Sequence, residues 1–369
     1  MLSSADQDKP TRSRNLVLLF ISVTVNLFLL YSMYSWKLNC REQKVIDDPV
    51  KPTSPLEEKD TIILLWFWPF GRQFDLTSCS TVFNIQGCSL TGDRKLYSKA
   101  HAVLIHHRDI ASNMSNLPKQ PRPVFQKWIW MHFESPRNTK KIPGLENLFN
   151  VTMNYRRDAD ITVREQMVLR PRGDFGNSPS TESFFSVPLK EKDKLVCWIV
   201  SNWNSNHDRV KYYEEFKKFI KVDTYGRAFH KVINQTEYNK IIRECKFYLS
   251  FENTKNYPDY ITEKLFNPLT LGTVPVVLGP PRYTYEQFVP GFSFIHVDDF
   301  ESPKALAEYL LLLGKNEEKY KEFFRWQQTY EVKHVDFPKE HACLACKYIR
   351  ERNNYQVFKN LNKWYWEEV

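Results

Sequence analysis

Three segments carry side chains whose types and spacing could do chemistry: one offers a candidate general base, and two offer strand-to-helix ends that suit an anionic ligand. The first is Trp128-Ile129-Trp130-Met131-His132-Phe133-Glu134-Ser135-Pro136. Read as a strand, it sets alternate side chains on one face, so Trp128, Trp130, His132 and Glu134 stand together. A carboxylate at a strand end beside indoles suits a general base in a sugar site. Aromatic faces pack on sugar C–H groups, and partial desolvation raises carboxylate basicity. The alternative is a core strand whose terminal Glu caps nearby amides.

The second segment is Phe251-Glu252-Asn253, followed by Asp259-Tyr260-Ile261-Thr262-Glu263-Lys264. A strand ends here and a helix is expected to begin near Asp259. The amides and positive dipole end of that helix suit a diphosphate. Lys264 adds charge, and Glu263 can accept hydroxyl hydrogens from a sugar or ribose. The plainer reading is a helix capped by Asp259, with Glu263 and Lys264 solvated. The third segment, Ser201-Asn202-Trp203-Asn204, leads to Arg209, again from a strand end into a helix. A guanidinium there either contacts phosphate bidentately or is a surface charge. His106, His107 and Asp109 are too few for a metal site, and Asp298-Asp299 resembles one only loosely, so no metal is expected.

These residues need strands that end at a common edge. Apolar runs at 61–68, 102–105 and 127–133 read as buried strands of a first region. In a second region, runs at 195–200, 222–225, 247–251 and 274–278 read as strands. They alternate with helical patterns at 208–220, 238–245 and 260–271. Pro268 is expected to kink the last helix and Gly272 to close it. The repeated β-α-β order predicts a parallel, doubly wound sheet. Residues 166–192, with Pro, Gly, Ser and Thr and no core pattern, read as the inter-domain connection. The aromatic, charged C-terminal stretch reads as helical.

The chain has 369 residues, 42% apolar and 15% aromatic, with only 11 glycines. That is enough for one large or two medium domains, and it argues against Gly-rich phosphate loops. The net charge is +9, but basic residues are scattered among acidic ones, as at Lys190-Glu191-Lys192-Asp193-Lys194. This disfavours nucleic acid as a partner and suits a diffuse basic surface around an anionic ligand. Residues 15–36 carry no charge. As a helix they reach roughly 33 Å, against a bilayer core of roughly 30 Å. A cleaved signal peptide would have a shorter apolar core ending in small residues, whereas this one ends in Tyr31, Tyr34 and Trp36. An uncleaved anchor follows, and Lys9, Arg12 and Arg14 keep the short N-terminus cytoplasmic.

The layout is then a cytoplasmic tail (1–14), a transmembrane signal anchor (15–36) and a Pro-containing stem (37–60), with the remainder lumenal or extracellular. Asn113, Asn150 and Asn234 each head a glycosylation triplet. Cys79, Cys88, Cys197, Cys245, Cys343 and Cys346 lie beyond the stem. Their even number suits disulfides in an oxidising lumen, whose connectivity spacing alone leaves open. Cys343-Leu344-Ala345-Cys346 is also half of a zinc pattern, but no second CxxC exists. Cys40 is left over, either to link two chains in a homodimer or to stay free.

Taken together, these segments resemble the animal α-(1,3)-fucosyltransferases, glycosyltransferase family 10, from about residue 60 to the C-terminus. The carrying stretches are Trp68-Pro69-Phe70-Gly71, Phe83-Asn84-Ile85-Gln86-Gly87-Cys88, His106-His107-Arg108-Asp109, Trp128 to Pro136, Tyr155-Arg156-Arg157-Asp158, Ser201 to Asn204, and Phe251 to Lys264. The last is the most specific. The resemblance implies an α/β fold of GT-B type with two Rossmann-like domains, preceded by a single N-terminal transmembrane helix. An acceptor-side domain would span 61–180 and a GDP-fucose-binding domain 190–340, with 341–369 returning to the first.

It also implies inverting transfer of L-fucose from GDP-β-L-fucose, without a required metal or other cofactor. The acceptor would be O3 of N-acetylglucosamine in N-acetyllactosamine on glycoproteins and glycolipids, giving Lewis x-type products. The site would be a Golgi membrane, single-pass type II with the catalytic part lumenal. Glu134 becomes the base. Arg209 and Lys264 would steady the diphosphate, while Asn253, Tyr260 and Glu263 hold donor sugar or nucleotide. Trp130, His132 and Arg108 fall on the acceptor side. Members that also make α-1,4 links resemble one another in having Trp at the position of Arg108, so Arg108 points to α-1,3 transfer. The family pattern pairs Cys79 with Cys343, Cys88 with Cys346 and Cys197 with Cys245. Alternatives are a different linkage or acceptor, or a membrane-tethered glycan-binding protein that has lost catalysis.

Overall fold

The computed structural model describes residues 60–164, 167–172, 192–352 and 354–367. The expected tail and anchor (1–36), Cys40, nearly all of the stem and residues 173–191 of the expected connection lie outside the described residues. Among those described, no helix is long and apolar enough to cross a membrane.

Six parallel strands form the first sheet: β1 (Thr61–Leu65), β2 (Cys88–Thr91), β3 (Ala102–His106), β4 (Lys127–His132), β5 (Val151–Asn154) and β6 (Ile161–Thr162), in the order β2-β1-β3-β4-β5-β6. Every residue of β3, β4 and β5 is buried. Burial on both faces is the condition in which a parallel sheet is stable. β1 is shorter than its apolar run. Trp66 still bonds to Leu104 O through its amide, but its indole turns to Asn116 O, and Pro69 leaves the chain no ladder donor.

A short β7 (Met167–Pro171) leads to the second sheet: β8 (Lys194–Ile199), β9 (Asp223–Tyr225), β10 (Cys245–Phe251), β11 (Val274–Leu278) and β12 (Ile295–His296). These strands are parallel too, in the order β12-β11-β10-β8-β9. β7 lies within the stretch expected to be a plain connection, and it pairs antiparallel with β13 (Tyr330–His334). Around the second sheet lie α1 (Asp208–Phe216), α2 (Gln235–Glu244), α3 (Glu263–Thr270) and α4 (Pro303–Leu313). α2 starts on a full capping box between Asn234 and Glu237. Pro268 sits inside α3, which nonetheless runs on to Thr270; its ring is buried and Thr273 N closes on its carbonyl.

α5 (Lys339–Glu351) and α6 (Leu361–Trp366) bring the C-terminus back to the first sheet. α5 buries Ala342, Cys343, Ala345 and Cys346 in the same core as β1, β3 and β4. Two disulfides, Cys79–Cys343 and Cys88–Cys346, staple it there, and Cys197–Cys245 joins β8 to β10. The first two close loops of 264 and 258 residues. Replacing Cys79 and Cys343 together by Ala is expected to cost about 2–4 kcal/mol. Denaturant unfolding checks this, and an unchanged midpoint would show the buried α5 face holding without the bond.

Candidate active site

The C-terminal ends of parallel strands leave room for ligands where helices begin. Here two such edges face each other. The first sheet contributes Phe70, His106, Arg108, His132, Phe133 and Glu134 to a cavity of about 290 Å³, and the second contributes Asn253, Tyr260, Thr262, Glu263 and Lys264. β4 stops at His132, and Glu134 follows in an open turn that Pro136 ends.

Glu134 is held by three donors on one oxygen. Its Oε1 accepts from Ser135 N at 2.9 Å, from Tyr260 Oη at 2.5 Å and from Asn253 Nδ2 at 3.3 Å. Oε2 accepts no hydrogen bond from the described residues. Tyr365 of α6 donates to the Glu134 carbonyl and fixes the turn from behind. Burial, and then the charge of Glu134, push the Tyr260 phenol well above its usual pKa, so it stays a proton donor.

Opposite stands an ionic cluster. The Lys264 ammonium lies 3.2 Å from Glu252 Oε2 and 3.1 Å from Glu263 Oε1. Burial alone would lower the Lys264 pKa, but the Glu252 and Glu263 carboxylates hold it above its usual value. Glu252 is 1% exposed, and burial raises its carboxyl pKa against the pull of Lys264. It also accepts from Thr262 N and Thr262 Oγ1, both at 2.9 Å, and so fixes the N-cap of α3. A glycine at 279 makes room for it: a Cβ there would stand 2.4 Å from Tyr285 Oη and 3.1 Å from Glu252 Cγ. Glu263 lines a second cavity of about 420 Å³ beside Tyr238 and Asn267.

Comparison with known proteins places the chain in a family. Residues 58–166 match the family model "Fucosyltransferase, N-terminal", and residues 189–364 match "Glycosyltransferase family 10 (fucosyltransferase) C-term". The chain belongs to glycosyltransferase family 10. It is 53% identical over 308 residues to the Homo sapiens 4-galactosyl-N-acetylglucosaminide 3-alpha-L-fucosyltransferase 9, covering 83% of this chain and 82% of that protein. The Rattus norvegicus enzyme of that name is 53% identical over 307 residues, with the same shares. A Bos taurus 3-galactosyl-N-acetylglucosaminide 4-alpha-L-fucosyltransferase FUT3 is 42% identical over 306 residues, 82% of this chain and 81% of that protein. A crystal structure of an alpha1,3-fucosyltransferase with GDP-fucose superposes with a TM-score of 0.51 at 16% identity, over 83% of this chain and 94% of that one, which is a likeness of fold.

In this family 10 chain, Arg108, His132, Glu134, Asn253, Tyr260, Glu263 and Lys264 come together around one cavity. Trp130 does not line it. It is fully buried, its indole donating to His107 Nδ1 and its ring packed on Tyr365, so it supports the strand from below. Arg209 does not line the cavity either and is 5% exposed. One guanidinium nitrogen donates to Asn202 O at 2.6 Å, while the buried Nε has no partner among the described residues.

Asp259 does not cap α3. It adopts φ +61° and is gripped by Arg157, whose Nε lies 2.9 Å from Oδ1 and whose backbone N–H reaches Oδ2. The cap is Thr262. The loop thus freed lets Tyr260 enter the first core. Glu252 was missed as a site residue; a carboxylate directly after an apolar strand was its one signal. The three glycosylation triplets differ in exposure, and Asn150 stands apart. It is fully buried, accepts from Trp128 N and donates through Nδ2, the glycan-bearing nitrogen, to Gln356 O. Asn113 and Asn234 are exposed. Among the described residues, no three His, Cys, Asp or Glu converge on a metal position.

Proposed function

We propose that this chain transfers L-fucose from GDP-β-L-fucose to O3 of N-acetylglucosamine in N-acetyllactosamine glycans, with inversion in a single displacement. The observation that carries this reading is Glu134: one carboxylate oxygen is held by three donors and the other is left to the cavity it shares with Lys264. Glu134 takes the acceptor O3 proton as O3 bonds to fucose C1 and the C1–O bond to the diphosphate breaks. Lys264 bears on the negative charge that develops on the departing GDP, and Arg209, buried close to Glu252 and Glu263, adds positive charge from outside the cavity lining. Glu263, common to both cavities, takes the ribose hydroxyls, so the nucleoside extends toward Tyr238 and Asn267. Arg108, exposed at the cavity wall, belongs to the acceptor side.

The linkage follows the relatives: 53% identity to enzymes named 3-alpha-L-fucosyltransferases against 42% to one named a 4-alpha-L-fucosyltransferase. The GT-B arrangement, the domain limits, the anchor at 15–36 and a lumenal Golgi setting belong to the same reading. The test is incubation with GDP-fucose and N-acetyllactosamine, recording GDP release and product linkage. The expected product carries α-1,3-linked fucose. A folded protein that binds GDP yet fucosylates no lactosamine acceptor would point instead to another acceptor or to a non-catalytic glycan binder.

A further inference from the structure

The aromatic face that a sugar would meet is not on β4. Of the aromatic residues lining the cavity, His106 and His132 are 2% exposed, Tyr260 is 3% and Phe133 is 7%, whereas Phe70 is 43% exposed. Phe70 stands in the turn after β1, closed by Gly71 N to Trp68 O and Arg72 N to Pro69 O. Its backbone is left-handed, φ +56° and ψ +24°, a conformation uncommon for a bulky residue and easy for glycine. A large ring kept in that conformation and left half in solvent marks a functional position.

The ring is also held in orientation. His106 meets it edge-on at 4.8 Å, Phe337 at 5.9 Å, and the Arg108 guanidinium lies 5.4 Å from its centroid. His106 and Arg108 from the end of β3, and Phe337 from the distant C-terminal part, therefore fix one exposed aromatic surface on the wall that Glu134 shares.

We infer that Phe70 is the stacking platform for the acceptor: the C–H face of a neutral acceptor pyranose lies on the ring face that Arg108 does not cover, while the Arg108 guanidinium, over the other face, donates to the sugar hydroxyls that extend past the ring. This rests on the fucosyltransferase reading above and adds the residue that orients the acceptor toward Glu134. An apolar, polarisable face beside a few polar groups is how a pocket recognises an uncharged, hydroxyl-rich ligand.

The test compares Phe70→Leu with Phe70→Tyr in the intact chain. Leu keeps apolar bulk without a flat face, and Tyr keeps the face. The Leu variant is expected to raise the KM for N-acetyllactosamine roughly tenfold. Its KM for GDP-fucose and its unfolding temperature should stay at parental values, and Tyr should restore the acceptor KM. Leu and Tyr variants that lose acceptor affinity equally, a Leu variant that loses none, or a KM for GDP-fucose that rises in step with the acceptor's would overturn the inference. If the parent transfers no fucose, saturation-transfer NMR of N-acetyllactosamine on the GDP-loaded protein reads the same comparison without turnover. Acceptor signal lost in Leu and kept in Tyr would uphold the platform although the transfer reading had failed; signal unchanged in Leu would overturn it.

Discussion

Glu134→Gln is expected to lower kcat for fucosyl transfer by roughly 10²- to 10⁴-fold, with the KM for GDP-fucose little changed. The amide is nearly isosteric with the carboxylate. Its oxygen can keep the hydrogen bonds from Ser135 N, Tyr260 Oη and Asn253 Nδ2, so the turn stays in place. What is lost is the second carboxylate oxygen as a proton acceptor, because an amide nitrogen there is a donor. Steady-state kinetics with N-acetyllactosamine, together with GDP binding, check this. A variant within tenfold of the parent would remove Glu134 from the role of base and leave it a bridge between the two halves.

Lys264→Met is expected to fail twice. Loss of the cation facing the leaving diphosphate should reduce kcat/KM for GDP-fucose by roughly 10²- to 10³-fold. The fold should also lose stability, on the order of 3 kcal/mol, because Glu252, 1% exposed, is left without its cation. The pH dependence has a definite sign. Burial already raises the Glu252 carboxyl in the folded protein, and removing Lys264 raises it further. A group with a raised folded pKa binds more protons in the native state, so the variant should lose stability as pH rises above the ordinary carboxylate range. Its deficit in unfolding temperature is therefore greater at neutral pH than in mild acid.

The double variant Lys264→Met with Glu252→Gln separates the two effects. Neutralising the buried carboxylate should recover most of the stability, while transfer stays low. Recovery of transfer along with stability would show that Lys264 acts only by balancing Glu252.

Tyr260 and Asn253 reach Glu134 across 126 and 119 residues of sequence. No local pattern encodes those bonds. They depend on how two sheets, each with its own core, meet at their C-terminal edges. The same holds for Asp259. Its position ahead of an apolar helix looks like an N-cap, and only the approach of Arg157 from the first half converts it into an ion pair on a left-handed residue.

Residue type does not encode burial. Trp130 and Phe70 are both aromatic residues in motif-like surroundings, and residue type does not distinguish a ring that fills a core from one that faces a sugar. α6 decides the matter by covering Trp130 with Tyr365 and Trp364, while the left-handed turn lifts Phe70 into the cavity. Asn150 heads a glycosylation triplet, and it is buried where β5 begins, between β4 and β6.

The sequence by itself determined the parallel strands, the order of the helices between them in the second half, the placing of Glu134 and Lys264 at strand and helix ends, and membership of a fucosyltransferase family. Those properties rest on local hydrophobic period and on short motifs, which neighbouring residues specify. The tertiary structure alone decided which oxygen of Glu134 has no donor among the described residues, that Glu252 anchors Lys264, and which aromatic ring is left exposed on the cavity wall. Each of these depends on contacts between segments far apart in the chain, and such contacts exist only once the two sheets and the returning C-terminal helices have packed.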